Sequence, residues 1–252
     1  MSTSITLSFS QIDTFQRDGL LYLPRLVDEE RCRLIKELAQ VHLNYRVEPL
    51  EWESEYIGIE NEAYRSTVRR LRQVYDRDIV FRRWMEDPML REALRVLLGD
   101  NPILVLAHHN SIMTKAPGTS TQTRWHQDIR YWNYRDDRLL SVWLALGEEN
   151  AENGVLEFIP GSQRMELSRE RFDEKIYFRD DLEENRELIE KRVSFRLSPG
   201  DVVLFHAKTL HRADFNRSDR TKFSFVYTVR AADNPPIPAT RSSAFREIEL
   251  PL

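Results

Sequence analysis

The second half of this chain is cut into short apolar runs by turn signals, and that rhythm limits the fold more than any other feature of its 252 residues. Ile103–Leu106, Leu139–Leu146, Gly154–Ile159, Val193–Leu197, Val202–Phe205 and Lys222–Arg230 each have the length of a strand, and Pro160-Gly161-Ser162 and Pro199-Gly200-Asp201 punctuate them. The first half reads differently. Gln11–Arg17, opened by Ser10 and closed at Gly19, reads as a short capped helix, followed by a strand, Leu20–Leu23, that stops at Pro24. Asp28 opens a helix with Leu34, Ile35, Leu38 and Val41 on one face, and residues 61–98 read as a second helical region divided at Pro88. Helices first and strands later predict an α+β domain, a β-sandwich or barrel flanked by helices. A charge-rich insert at 164–192 reads as a solvated helical connection. No repeat or linker marks a boundary, so the expectation is one domain over 1–252.

Composition narrows the function classes. Hydrophobic residues make up 41% and charged residues 31%, which fits a globular chain with a filled core and excludes a disordered or fibrous one. The 37 basic and 41 acidic residues leave a net charge of −4, without the basic excess of a dedicated nucleic-acid binder. Cys32 is the single cysteine, so the chain has neither an internal disulfide nor a Cys-rich zinc site. No apolar run approaches the roughly 20 residues of a membrane span, and the N-terminus lacks a basic segment followed by an apolar core. The expectation is a cytoplasmic protein that meets a small molecule rather than nucleic acid. Its oligomeric state is open.

The chemistry concentrates in Arg124-Trp125-His126-Gln127-Asp128. If this segment is a strand, His126 and Asp128 point to the same face, because side chains alternate at period 2. Both then reach one metal ion. A third ligand is on offer from His206 or His211. Two imidazoles and one carboxylate on one face of an octahedral ion leave three open positions, the facial triad of non-haem Fe(II) oxygenases.

Several ordered stretches carry a resemblance beyond that triad. They are Trp125–Asp128, Ser141–Leu146, Glu152–Ser162, Pro199–His206, and His211 with Asn216-Arg217-Ser218, together with the opening Phe15–Pro24. In these the chain resembles the phytanoyl-CoA dioxygenase family of Fe(II)/2-oxoglutarate oxygenases, over about residues 8–230. The resemblance implies a double-stranded β-helix, a cupin-like jelly roll, with helices packed on one sheet. It implies Fe(II), 2-oxoglutarate and O2 as cofactor and co-substrates, with hydroxylation of a C–H bond and release of succinate and CO2. A jelly-roll protein that binds metal or ligand without turnover is the alternative.

Carried over by position, the resemblance makes His126, Asp128 and His211 the iron ligands and gives His206 a packing role. The family's carboxylate ligand is present as Asp128, which favours hydroxylation over halogenation. The family has an arginine for the far carboxylate of 2-oxoglutarate 11 residues after the distal histidine, where this chain has Lys222. Ser224 shares the strand face of Lys222 and assists it in this reading, and Arg220 is the fallback cation. Trp143, Asn110 and Lys115 fall where the family contacts its co-substrate or the substrate mouth. His108 and His109 either line the site or cap a strand. Arg124, Arg130, Tyr131, Trp132 and Tyr134 read as a substrate surface for an anionic or polar, ring-bearing molecule.

Overall fold

In the computed structural model, which describes residues 4–250, the helices of the first half lie against one face of a large antiparallel sheet. Helix α1 (Phe9–Asp18) is opened by Ser8, whose hydroxyl accepts from the Gln11 N–H while the Gln11 side chain accepts from the Ser8 N–H. This capping box starts the helix earlier than Ser10. After β1 (Leu20–Leu23), helix α2 (Glu29–Asn44) is capped by Asp28 as expected, but its buried stripe is Cys32, Ile35 and Ala39. Leu34 and Val41 are about half exposed, so the sequence reading rotated this face.

The second helical region is corrected more strongly. It contains a strand. After β2 (Leu50–Trp52), α3 (Glu53–Ile57) and α4 (Glu62–Ser66), residues Val68–Arg72 form β3, and only α5 (Ile79–Met85) and α6 (Arg91–Leu98) continue the helical reading. β3 pairs with β2 on one side and with β4 (Pro102–Lys115) on the other. Pairing with these distant strands overrides a local pattern that suits either structure.

The remaining strands are β5 (Thr123–His126), β6 (Leu139–Ala145), β7 (Leu156–Phe158), β8 (Val193–Ser194), β9 (Val202–His206), β10 (His211–Ala213), β11 (Lys222–Ala231) and β12 (Glu247–Glu249). They build a sheet in the order β1-β9-β6-β11-β4-β3-β2, with β12 added on β4, and a smaller one in the order β5-β10-β7-β8. All pairings are antiparallel. Two such sheets flanked by helices form the expected α+β jelly roll.

Period 2 along the central strands decides what faces the site. Leu140, Val142 and Leu144 of β6 and Phe223, Phe225, Tyr227 and Val229 of β11 join the core shared with the helices. Trp143, Ala145 and Val226 turn the other way and pack with Leu156 and Phe158 of the small sheet. Lys222 and Ser224 lie on that inward face of β11. Within the insert, α7 (Glu183–Ile189) is the only α-helix. Leu167, Phe172 and Phe178 pack against Trp125, Ile159 and Leu210, so the segment is anchored on the small sheet rather than solvated throughout.

Candidate active site

His126 and Asp128 do not sit on one strand. His126 ends β5, and Asp128 is the first residue of the 3-10 turn that follows, so the carboxylate reaches the imidazole from a turn and not by strand alternation. His211 begins β10 and lies directly opposite His126 in the same small sheet, rather than converging from the other one. His126 Nε2 is 3.6 Å from Asp128 Oδ1, and His211 Nε2 is 3.8 Å from Asp128 Oδ2. These gaps are too long for hydrogen bonds and fit one shared ion with bonds of about 2 Å. The three side chains form a cluster whose ligand atoms lie within 4.8 Å of one another.

The surroundings prepare these atoms for a cation. His126 Nδ1 is 2.8 Å from the Arg124 carbonyl, and His211 Nδ1 is 2.9 Å from the Thr209 carbonyl. A carbonyl only accepts, so each Nδ1 carries the proton and each Nε2 presents a lone pair to the centre. Burial, with His126 close by, pushes His211 down to about 3 and keeps it neutral, the form able to bind a metal. Burial alone would raise Asp128, but His109, His211 and His126 hold it well below the usual carboxylate range. Asp128 Oδ2 is buried and has no hydrogen-bond partner. A buried carboxylate oxygen left this way fits a site built for a metal.

His109 lies beside the triad, with Nε2 3.6 Å from Asp128 Oδ1 and Nδ1 3.2 Å from Ser141 Oγ. The cause is a bulge: Thr228 of β11 pairs with Val105 and Tyr227 with Asn110, leaving residues 106–109 of β4 out of that register. The bulge also places His108, which stacks on Trp132 and meets Ser242 through Nε2. His206 stays apart from the metal cluster, at the end of β9, where its Nδ1 accepts from the Lys208 N–H.

A cavity of about 310 Å³ opens from the triad. Trp143, Lys115 and Lys222 line it together with the aromatic side chains of Tyr56, Tyr131, Trp132 and Tyr177. The Tyr177 hydroxyl donates to Tyr56 Oη at 2.9 Å, so the charged insert supplies part of the wall. Arg69 is buried over the Tyr56 ring, 3.3 Å from its centroid, and is held by Glu53 at 3.1 Å and Thr123 at 2.6 Å. Neither Tyr56, Arg69 nor Glu53 was singled out by the sequence. Their stretch of chain shows no motif, and the strand that carries Arg69 read as helix.

The structure does not bring every expected residue here. Arg220 points to solvent, with 91% of its side chain exposed and Asp219 as its nearest acidic partner. Asn110 is buried outside the cavity wall, where Oδ1 accepts from the Tyr75 N–H. Arg124 pairs with Asp173, Arg130 donates to Gln127 and to the Leu167 carbonyl, and Tyr134 is buried with its hydroxyl toward Glu247. Of that set, Tyr131 and Trp132 line the cavity.

The largest departure is Glu149. This fully buried carboxylate, in the turn after β6, accepts from Lys222 Nζ at 2.8 Å, Ser224 Oγ at 2.6 Å and Trp143 Nε1 at 3.1 Å. Ser224 therefore serves the acid and not the ammonium. Gly154, in the loop before β7, crosses close to this end of the cavity with φ +73°. A Cβ there would lie 2.3 Å from the Asp214 carbonyl and 2.9 Å from Lys115 Cε. Gly154→Ala is expected to destabilise the fold by roughly 2 kcal/mol or more, seen as a lower urea midpoint with unchanged slope.

The sequence model described as Phytanoyl-CoA dioxygenase matches residues 15–224. An ectoine dioxygenase of Bordetella bronchiseptica is 27% identical, the match covering 91% of this chain and 78% of the relative. An L-proline trans-4-hydroxylase of Streptomyces griseoviridis is 26% identical, covering 94% and 91%. The crystal structure of EctD from S. alaskensis with 2-oxoglutarate and 5-hydroxyectoine superposes with a TM-score of 0.79 at 21% identity, covering 100% of this chain and 89% of that one. The non-heme alpha ketoglutarate dependent carbocyclase SnoK has a TM-score of 0.71 at 21% identity, covering 94% and 89%. No helix among the described residues is long and apolar enough to cross a membrane.

Proposed function

This chain belongs to the phytanoyl-CoA dioxygenase family of Fe(II)/2-oxoglutarate-dependent oxygenases, and from that premise we propose that it hydroxylates a C–H bond of a small-molecule substrate, converting 2-oxoglutarate to succinate and CO2. The observation that carries the reading is the buried Asp128 carboxylate, short of partners, between two imidazoles whose Nε2 atoms are free. In this reading His126, Asp128 and His211 hold the iron. Fe(II) held there would supply the activation of O2 by which one oxygen atom enters the substrate and the other enters succinate.

The chain's own residues orient and exclude. The carbonyls of Arg124 and Thr209 fix the ligand rings, and His109 steadies the carboxylate. Trp143 and the tyrosine wall keep water from the reacting centre, while the inner end, near Lys222 and Lys115, takes the far carboxylate of the co-substrate. A volume of about 310 Å³ has room for 2-oxoglutarate and a compact substrate. Relatives named for ectoine and L-proline support a substrate of that size. Nothing in the site favours a non-catalytic role.

A screen of small polar metabolites with Fe(II), 2-oxoglutarate and O2 tests this. The expected result is one compound that raises succinate release and appears hydroxylated in equal amount. Hydroxylated product without matching succinate, or no succinate under any condition, would overturn the proposal.

A further inference from the structure

Resting on the reading that the triad holds Fe(II) and turns over 2-oxoglutarate, we propose that Tyr131 is an internal substrate of the same centre. With no small molecule in the cavity, a ring carbon beside its hydroxyl is hydroxylated, leaving a catechol at this position. The backbone ties this side chain to the metal site. Asp128 and Tyr131 are the first and last residues of one 3-10 turn, and side chains three apart in such a turn eclipse each other. Tyr131 therefore projects to the same side as the Asp128 carboxylate. Its ring centroid is 6.3 Å from that of His126, with the two planes 65° apart.

Its aromatic neighbours are placed differently. Tyr56 and Tyr177 share the cavity wall, but among the described residues neither ring meets a ring of the triad. Trp132 meets His108 and His109 instead. Phe158 and Phe205 pack against His211, yet both are almost fully buried and lack the hydroxyl that makes a phenol ring electron-rich. Tyr131 lines the cavity and keeps 38% of its surface exposed. Its hydroxyl donates to the Lys175 carbonyl at 2.9 Å, which anchors the long axis of the ring.

The step balances without any reactant beyond those of the proposed reaction. One C–H bond of the ring becomes C–OH with one atom of O2, while 2-oxoglutarate loses CO2 and takes the other atom as succinate. The ring and the co-substrate each give up two electrons, and together these reduce the dioxygen. A small molecule bound over the triad comes between the centre and the ring, so the modification belongs to the substrate-free enzyme. Guarding a reactive centre against such side reactions is one task of a filled active site.

The test incubates the Fe(II)-loaded full chain with 2-oxoglutarate and heavy-isotope O2, with no other substrate, and maps added oxygen by peptide mass spectrometry. One heavy oxygen is expected on Tyr131, and none when 2-oxoglutarate is omitted. Position is read separately, without turnover, on protein carrying fluorotyrosine and loaded with Mn(II), a paramagnetic ion that carboxylates also bind. The fluorine resonance that disappears in Tyr131→Phe should be the most broadened of the nine tyrosine signals. Heavy oxygen on another residue or on none, or another resonance broadened more, would overturn the assignment of Tyr131. If 2-oxoglutarate still changes the visible spectrum of the Fe(II) protein without O2, the co-substrate reading stands; if that change is missing as well, both fall.

Discussion

His211→Ala and Asp128→Ala are each expected to remove tight Fe(II) binding and all iron-dependent turnover. Changes to groups that merely support metal ligands cost roughly 10- to 100-fold in affinity, so loss of a ligand itself should exceed that range. The two variants differ in what they leave behind. His211→Ala strands the Asp128 carboxylate beside a single imidazole, and Asp128→Ala leaves two imidazole rings whose centroids are 4.2 Å apart. His206→Ala is the comparison: this ring belongs to the end of β9 and the turn at Lys208, so iron affinity should stay near wild type. Equilibrium dialysis against buffered Fe(II) under argon separates these outcomes. Equal losses for His206→Ala and His211→Ala would reverse the assignment.

Lys222→Met is expected to be among the most destabilising single changes in the protein. Removing the ammonium leaves Glu149 as a buried carboxylate held only by Ser224 and Trp143. Breaking a buried pair from one side costs about 3–5 kcal/mol, whereas replacing both partners is often nearly neutral. The double variant Lys222→Met with Glu149→Gln should therefore recover much of the loss, because the neutral amide needs no cation. Urea denaturation of the two single variants and the double variant yields the coupling directly. Strict additivity would show that the ion pair contributes nothing to folding.

What the sequence could and could not disclose follows from the range of the forces involved. The short strands of the second half were legible because turn residues and apolar alternation are local. That His126, Asp128 and His211 come together was legible in the motifs that carry the family resemblance, but not by strand alternation, because β5 ends between His126 and Asp128. Val68–Arg72 was misread because its strand state depends on β2 and β4, which no local pattern reveals. Glu149 sits in the run Gly147-Glu148-Glu149-Asn150, which looks like an exposed turn, and only the fold buries the second of these acids under Trp143 and Lys222. His109 needed the bulge in β4, which places it beside Asp128 and is invisible to a period-2 count. Arg220 failed as a candidate because the chain turns outward just before β11 begins. Ordered motifs bring out the proposed ligands; the charges around them come from distant segments and need the three-dimensional arrangement.

The central claim is that one facial triad assembles Fe(II) and 2-oxoglutarate together, and anaerobic visible spectroscopy tests it most directly. Fe(II) is added to the wild-type protein, 2-oxoglutarate is then titrated in, and the same is done with His211→Ala. The account predicts a weak charge-transfer band in the wild type that saturates at one iron and one 2-oxoglutarate per chain, and no band in the variant. A band of equal strength in His211→Ala, or none in the wild type with both ligands in excess, would contradict it.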